Sequence, residues 1–456
     1  MNGLKVKNAV ISVSDKTGLE ELAKSLYSLG VKIYSTGGTA RAIENMGIPV
    51  TKISDYTGFP EILDGRVKSL HPKIHGGLLA KRDNQSHMQQ LQENEIEPFD
   101  LVVINLYPFQ EVIKKPDAGI PEAVENIDIG GPSMLRSAAK NYQFVCVVPD
   151  PRYYQKVIQE LENQGGIPIQ TRKVLARAVF EKTAYYDSLI SSYFHNVVLG
   201  EAQSKFPDTI SLYFKKRQEL RYGENPHQLA AFYTSQEVDV TGVGSAEKLH
   251  GRELSFNNIL DIESAFEIVK EFEAPACSVI KHTNPCGAAC AEELEQAFSD
   301  AWECDPVSAF GSIIAFNREV DERTAGRVSQ AGFVECIIAP GYQNEALEVL
   351  RRKKNVRLLE TGPVGKNEKY DHDIKRVIGG LLVQQRDLKD VQGEELKLVT
   401  EKDVTEEEKA SLLFAWKIVN HVKSNAIVLA QRTRTVGVGA GQMSRVDAAF
   451  MAVHKA

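Results

Sequence analysis

The amino-acid sequence predicts a two-part α/β protein, and three observations carry that prediction. Strand-sized apolar runs alternate with helical repeats over the first 200 residues. Polar, strand-like text begins again after about residue 200, which puts a junction between 195 and 215. The chain's 456 residues also exceed the roughly 250–300 that one hydrophobic core accommodates. The expected domains are residues 1–200 and 201–456.

In chain order, Ala9–Val13 reads as a short apolar strand. Thr17-Gly18-Leu19-Glu20 fits a capping box, ahead of Leu19, Leu22, Leu26 and Leu29 at helical spacing. Val31–Thr36 is the next strand, Gly37-Gly38 a turn, and Thr39–Met46 a short helix ended by Gly47. Leu101–Asn105 and Phe144–Val148 are buried-strand candidates, and Thr171–Val198 reads as one long helix. Such alternation predicts a parallel sheet with helices on both faces. In the second part Cys277–Ile280, Ser312–Phe316, Cys336–Ala339 and Ala426–Leu429 are short apolar strands. Thr405-Glu406-Glu407-Glu408 is a capping box opening a helix whose apolar face carries Leu412, Trp416 and Val419.

Hydrophobic residues make up 43% and charged residues 25%, with a formal charge of −7. That balance lacks the basic footprint of a nucleic-acid binder, so any phosphate must be held by local features. No apolar run approaches the ~20 residues of a membrane helix, and none of signal-peptide length follows the N-terminal lysines. Six scattered cysteines with no pairing frame point to a reduced, cytosolic protein.

The segment Ser12-Val13-Ser14-Asp15-Lys16-Thr17-Gly18 lies between a strand and a helix start, where hydroxyls, a lysine and helix amides converge. Those groups suit a phosphate. Ser35-Thr36-Gly37-Gly38-Thr39 repeats the arrangement after the second strand. Either loop alone would read as a capped turn; in a parallel sheet the two share one end, where ligands bind. Gly65-Arg66-Val67-Lys68-Ser69 brings basic groups into a turn-rich stretch. His71 and His75 have the spacing of a metal pair, but Pro72 and Gly76-Gly77 argue against a shared helix there, and no zinc site is expected. Asn105 and Tyr107 follow a strand, and Asp128 sits in a glycine turn before a helix that Lys140 ends.

The strings SVSDKTG, STGGT, TGFPEILDGRVKSLHP, NLYPF, IDIGG and RSAAKN, in this order, closely resemble the bifunctional purine-synthesis enzymes AICAR transformylase/IMP cyclohydrolase. The resemblance implies a methylglyoxal-synthase-like α/β fold and a cyclohydrolase in the first domain. It implies that Ser14, Asp15, Lys16, Thr36, Gly37, Gly38 and Thr39 bind the nucleotide, with its phosphate near the two loops. Arg66, Lys68 and Ser69 would reach the base and ribose. Asn105, Tyr107, Asp128 and Lys140 would surround the reacting carboxamide and formyl groups. The chemistry suits these residues: both groups sit on one ring, so much of the rate can come from holding the attacking conformer. Lys68 or Tyr107 would stabilise the developing oxyanion, and Lys140 with Asp128 would share the proton transfers.

In the second part, an apolar strand leads into Ile280-Lys281-His282-Thr283-Asn284-Pro285-Cys286-Gly287, expected to end in a Pro-Cys-Gly turn. The lysine disfavours the imidazolium, leaving His282 a neutral base. On a regular strand the two side chains would point to opposite faces, so sharing a site requires irregular backbone. His282, Cys286 and Cys290 invite a zinc-deaminase reading, but the spacing is P-C-x-x-x-C and the H-x-E element is missing. Gly437-Val438-Gly439-Ala440-Gly441 is not a dinucleotide loop.

LRYGENPHQ, SFNNILD, VIKHTNPCGAA, SAFGSIIAFN, IIAP, KSNAIV and GAGQMSR resemble the transformylase half of the same family. That half implies a cytidine-deaminase-like α/β fold without metal, a homodimer with this site at its interface, and 10-formyltetrahydrofolate as cosubstrate. His282 would be the general base, Lys281 a charge stabiliser and Asn425 an orienting group. Arg221, Asn258, Gly311, Glu335 and Arg445 would bind the aminoimidazole nucleotide, with Glu335 where the family pattern has aspartate. The family pattern continues past GQMSR with an Asp-Ala-Phe-Phe-Pro-Phe segment on the folate side, which the sequence ending at Ala456 lacks. The expectation is impaired formyl transfer with ring closure intact. The alternatives are a cyclohydrolase with a folate-incompetent second domain and a nucleotide-sensing module; the latter needs the phosphate loops but not Lys68, Tyr107, Asp128 and Lys140.

Overall fold

The computed structural model describes residues 3–115, 117–199, 206–235, 241–365, 372–389, 391 and 396–456. The expected junction at 200/201 lies outside the described residues. The chain divides into two compact units, Met1–Tyr213 and Phe214–Ala456.

The first unit opens with β1 (Asn8–Val13), α1 (Leu19–Ser28), β2 (Lys32–Ser35), α2 (Gly37–Glu44), β3 (Val50–Lys52) and α3 (Ile53–Thr57). Next come α4 (Pro72–Leu79), α5 (Gln85–Glu93), β4 (Leu101–Asn105), α6 (Phe109–Ile113) and α7 (Ile120–Glu125). It closes with α8 (Gly130–Lys140), β5 (Cys146–Val148), α9 (Tyr154–Gln164) and α10 (Ile169–Tyr193). The strands form one parallel sheet in the order β3-β2-β1-β4-β5. Its central strands are apolar almost throughout because both faces are covered. Leu22 and Leu26 of α1 pack with Val157 and Leu161 of α9 on one face. Leu78 of α4, Leu135 of α8 and Val179 of α10 pack on the other. Parallel register brings the loops after β1, β2 and β4 to one end.

Local details differ from the sequence reading. Thr17 caps no helix, because its amide and hydroxyl both bond Asp15 Oδ1, at 2.9 and 2.7 Å. α1 instead starts from Gly18, whose φ of 69° a larger side chain would resist. Gly37 and Gly38 are not a turn but the first residues of α2, with Thr36 as N-cap. The long helix ends at Tyr193, and Phe194–Val198 continue as a π-turn.

The second unit begins with the hairpin β6 (Phe214–Leu220) and β7 (Ala230–Ser235). Then follow β8 (Glu247–His250), α11 (Phe256–Lys270), β9 (Ala276–Lys281), β10 (Asn284–Cys290), α12 (Leu294–Glu303) and β11 (Ser312–Phe316). They are followed by α13 (Glu322–Gln330), β12 (Val334–Ala339), α14 (Asn344–Arg351), β13 (Arg357–Glu360), and the hairpin β14 (His372–Val377) with β15 (Gly380–Gln385). α15 (Glu406–Val419), β16 (Ile427–Gln431), β17 (Arg434–Gly439) and α16 (Arg445–Lys455) complete it. The main sheet is mixed and eight-stranded, in the order β16-β17-β10-β9-β11-β12-β13-β8.

Pro285-Cys286-Gly287, expected as a turn, lies inside β10, with a bulge between Pro285 and Gly287. α15 forms with the expected capping box on Thr405 and Glu408. Its buried stripe, however, is Phe414 and Ile418, while Leu412 and Trp416 stay 57% and 45% exposed. Phe414 wins the inward place by stacking on Phe272 at 5.3 Å between ring centroids. Among the described residues no helix is long and apolar enough to cross a membrane, and all six cysteines are buried and free.

The glycine run that failed as a dinucleotide loop has a packing reason. A Cβ on Gly437 would stand 2.1 Å from the Ala452 carbonyl oxygen, and one on Gly439 1.9 Å from that of Ala448, both on α16. Gly439→Ala should therefore lower stability by about 1–3 kcal/mol, read as a lower urea midpoint. Gly242→Ala, with open space around its site, should leave the midpoint unchanged.

Candidate functional site

A cleft of about 720 Å³ opens at the carboxyl end of the first unit's sheet. Ser14, Lys16, Thr36, Gly37, Gly38, Thr39, Arg66, Lys68, Ser69, Asn105, Tyr107 and Asp128 all line it. One end is built for an anion. The Lys16 ammonium reaches back to the Val13 carbonyl and to Thr39 Oγ1 at 3.1 Å, while burial lowers its proton affinity. Thr39 Oγ1 also takes the Val13 amide at 3.1 Å, and Ser12 and Thr36 share a hydroxyl contact of 3.2 Å. The first helical bonds of α2 come from Thr39 and Ala40, which leaves the Gly37 and Gly38 amides at its open end.

The other end carries reactive groups. Lys68 Nζ lies 3.4 Å from the Tyr107 hydroxyl. The Asp128 carboxylate accepts the Gly131 amide at 2.8 Å and also the Tyr107 amide. Burial raises the Asp128 pKa, against the opposing pull of those two amides and the Lys68 charge. A Cβ at Gly131 would meet Asp128 Oδ2 at 2.4 Å, so a larger residue there would displace the carboxylate. Arg66 is paired with Glu125 through both its Nε and Nη2. Ser69 is buried beside Gly130.

Two expected residues do not join the cleft. Asp15 turns its carboxylate to Thr17, whose hydrogen bonds depress the acid's pKa, and lines a smaller cavity behind the Ser14–Asn105 wall. Lys140 is exposed at the far end of α8, ten residues or roughly 15 Å along the helix from Gly130 at the cleft. The Asp128–Lys140 proton pair is therefore not assembled.

Sequence reasoning missed Glu125 and Tyr186. Tyr186, buried on α10, accepts the Asp128 amide at 2.8 Å and reaches the Asn126 carbonyl at 3.3 Å, clamping the loop that presents the acid. Burial pushes its phenol up to about 12. The spacing along α10 marks Tyr186 only as one more core residue.

In the second unit, strand register brings several expected residues to one sheet end. His282 and Thr283 form the two-residue turn between antiparallel β9 and β10, with φ of 53° and 60°. Both values are left-handed, as in type I′ hairpins. Asp261 of α11 accepts the Thr283 amide at 2.7 Å and also that of His282. Lys281 donates to the Phe310 carbonyl at 2.8 Å, next to Gly311, whose φ is 77°. Glu335, the second residue of the neighbouring β12, is held by Arg357 at 2.5 Å. The Asn425 amide donates to the Gln442 and Met443 carbonyls, close to where Arg445 opens α16. Lys423, two residues earlier, bonds the His282 turn through Asn284.

Asn258 is buried and spent in the capping box of α11 with Ser255. Arg221 follows β6 and lies 5.3 Å from the Tyr222 ring. Its loop touches α11 through Asn257 and Glu224. Cys286 and Cys290 sit four residues apart on one strand, roughly 13 Å, too far to ligate one ion. Among the described residues no group of three His, Cys, Asp or Glu side chains is placed to hold a metal.

Known proteins resemble this chain over nearly its whole length. The family described as AICARFT/IMPCHase bienzyme matches residues 138–455, and an MGS-like domain matches residues 18–133. The chain is 52% identical over 450 residues to the bifunctional purine biosynthesis protein PurH of Anoxybacillus flavithermus, and equally to that of Halalkalibacterium halodurans. It is 51% identical over 449 residues to the PurH of Acetivibrio thermocellus. The alignments cover 98–99% of this chain and 87% of each relative.

Two consequences follow for the Asp128 loop. Because burial raises its pKa, ionised Asp128 opposes folding at neutral pH, and that cost vanishes once the acid is protonated in the unfolded chain too, below ~3.9. Asp128→Asn, which cannot ionise, should therefore lose this decline of the urea midpoint between pH ~3.9 and 7. Tyr186→Phe should cost about 1 kcal/mol and speed hydrogen exchange at the Asp128 amide, which loses its acceptor.

Proposed function

This chain belongs to the AICARFT/IMPCHase bienzyme family, and from that premise we propose that it completes inosine monophosphate in purine biosynthesis by two successive reactions. In the first, the 5-amino group of AICAR attacks the formyl carbon of 10-formyltetrahydrofolate. The new C–N bond forms, the bond to the folate nitrogen breaks, and tetrahydrofolate leaves carrying a proton. In the second, the carboxamide nitrogen attacks that formyl carbon, the formyl oxygen becomes a hydroxyl, and water leaves as the ring closes.

For ring closure, the observation that carries the reading is that Lys68, Tyr107 and Asp128 share one cleft with both anion-type turns. The nucleotide phosphate would take the Gly37 and Gly38 amides and the Lys16 charge. The Lys68 ammonium and Tyr107 hydroxyl would hold the oxygen that becomes negative during attack. Asp128, whose burial raises its pKa, suits the proton transfer that water loss requires. Arg66, already in a fork with Glu125, would exchange that partner for the substrate. A pure nucleotide sensor would need the phosphate end alone.

For formyl transfer, His282 at the hairpin tip would be the base for the weakly nucleophilic amine. Lys281 would stabilise charge, and Asn425 would position the groups around it. Arg221, Gly311, Glu335 and Arg445 would face the aminoimidazole nucleotide, with Asn258 acting through the α11 cap. Phe310, 61% exposed, and Met443, 91% exposed, stand next to these residues and support a homodimer that covers them.

Supplying the formylated nucleotide should produce inosine monophosphate, read by ultraviolet absorbance. Lys68→Ala should cut kcat for that step by about 10²–10³-fold and leave formyl transfer intact. His282→Asn should do the reverse. Equal loss of both activities in either variant would sink the assignment of one site to each unit.

A further inference from the structure

The first unit carries a second cluster of cations at the opposite end of its sheet from the cleft. A cavity of about 450 Å³ lies where β1 and β4 begin, lined in part by Lys5, Lys7, Arg82, Asp100 and Arg172. Four cations thus face a single carboxylate, and that carboxylate already accepts three hydrogen bonds. Asp100 Oδ2 accepts the Lys7 and Asn8 amides at 2.7 and 2.9 Å, and its Oδ1 takes Arg82.

The donors exceed the acceptors. Arg82 gives its remaining terminal nitrogen to the Phe99 carbonyl, and its buried Nε has no partner among the described residues. Arg172 is buried on α10 and spends Nε on Ile167 and Nη1 on Tyr142 and Gln143, which leaves Nη2 without an acceptor among the described residues. Burial, and less strongly the Arg82 charge, press on the Arg172 guanidinium. Neither Lys5 nor Lys7 has an ion pair among the described residues, and both are exposed at the cavity's rim.

We propose that this cavity is a binding site for a small phosphate-based polyanion, separate from the catalytic cleft. A net lining charge near +3 calls for a ligand with at least two negative charges. Its donors come from three elements: the segment before β1, the loop after α4, and α10. Donors arriving from several directions suit a tetrahedral oxyanion better than a planar carboxylate. The strand between the two sites spans six residues, roughly 20 Å, so one small ligand cannot occupy both.

The test titrates pyrophosphate by calorimetry into the chain saturated with inosine monophosphate and AICAR, which on the reading above fill the cleft and the second unit's nucleotide site. One residual, salt-sensitive site should remain, weakened about tenfold or more in the Lys5→Gln/Lys7→Gln double variant. Both lysines are exposed and outside the cleft, so ring closure in that variant should be unchanged and certifies folding. Absence of residual binding, or residual binding that the double variant keeps in full, overturns the proposal; so does malonate binding as tightly as pyrophosphate. Failure of inosine monophosphate itself to bind would count against the cleft assignment instead. The same variant comparison without nucleotide would then still decide this site.

Discussion

The first unit's site depends on how one buried side-chain amide ties a loop to a strand. Asn105 ends β4 directly opposite Val13, the last residue of β1. Its Oδ1 accepts the Ser14 and Asp15 amides at 2.6 and 3.1 Å, and its Nδ2 donates to the Asp15 carbonyl at 2.8 Å. Asn105 is itself buried, so losing one of these bonds leaves its amide unsatisfied. The loop carrying Lys16 therefore inherits the rigidity of the sheet. Lys16 and Thr39 then pass that order on to the opening of α2.

The reactive end is held less firmly, and the contrast has a physical basis. Leu63, Asp64 and Gly65 are three successive residues with positive φ, leading into Arg66 and Lys68. Arg66 and its partner Glu125 are both exposed, so their pairing is weak and exchangeable. A stiff cradle for the constant part of a ligand beside a looser arm for its variable part suits a cleft that must admit a substrate and release a product.

The second unit uses the same device with the roles reversed. There a strand hairpin carries His282 at its tip and a helix supplies the brace. A two-residue turn with both φ positive ordinarily takes Asn and Gly, whereas here it takes His282 and Thr283. Such backbone costs on the order of 1–3 kcal/mol per residue unless its surroundings hold it. The Asp261 carboxylate does so by accepting both turn amides, although burial raises its own pKa. The irregular backbone at His282, next to Lys281, is thus a two-residue hairpin turn, and Pro285-Cys286-Gly287 continue the strand.

Much of this was written locally. The strands β1, β4 and β11 and the Thr405 cap were legible because each depends on residues a few positions apart, whereas Thr17 and Gly37-Gly38 take other places than the local pattern predicts. The inward face of α15 was misread because Phe414 and Trp416 are equally apolar, and only contact with Phe272 ranks them. Lys140 was misplaced because a motif string records order and not the rise of a helix. What the sequence alone determined was the alternation of elements and the set of polar groups at strand ends. Tertiary structure decided which of those groups meet: Tyr186 clamps a loop 58 residues away, and Asn105 ties a loop 91 residues away. Such pairs are set by sheet register and helix packing, which no local stretch of chain contains.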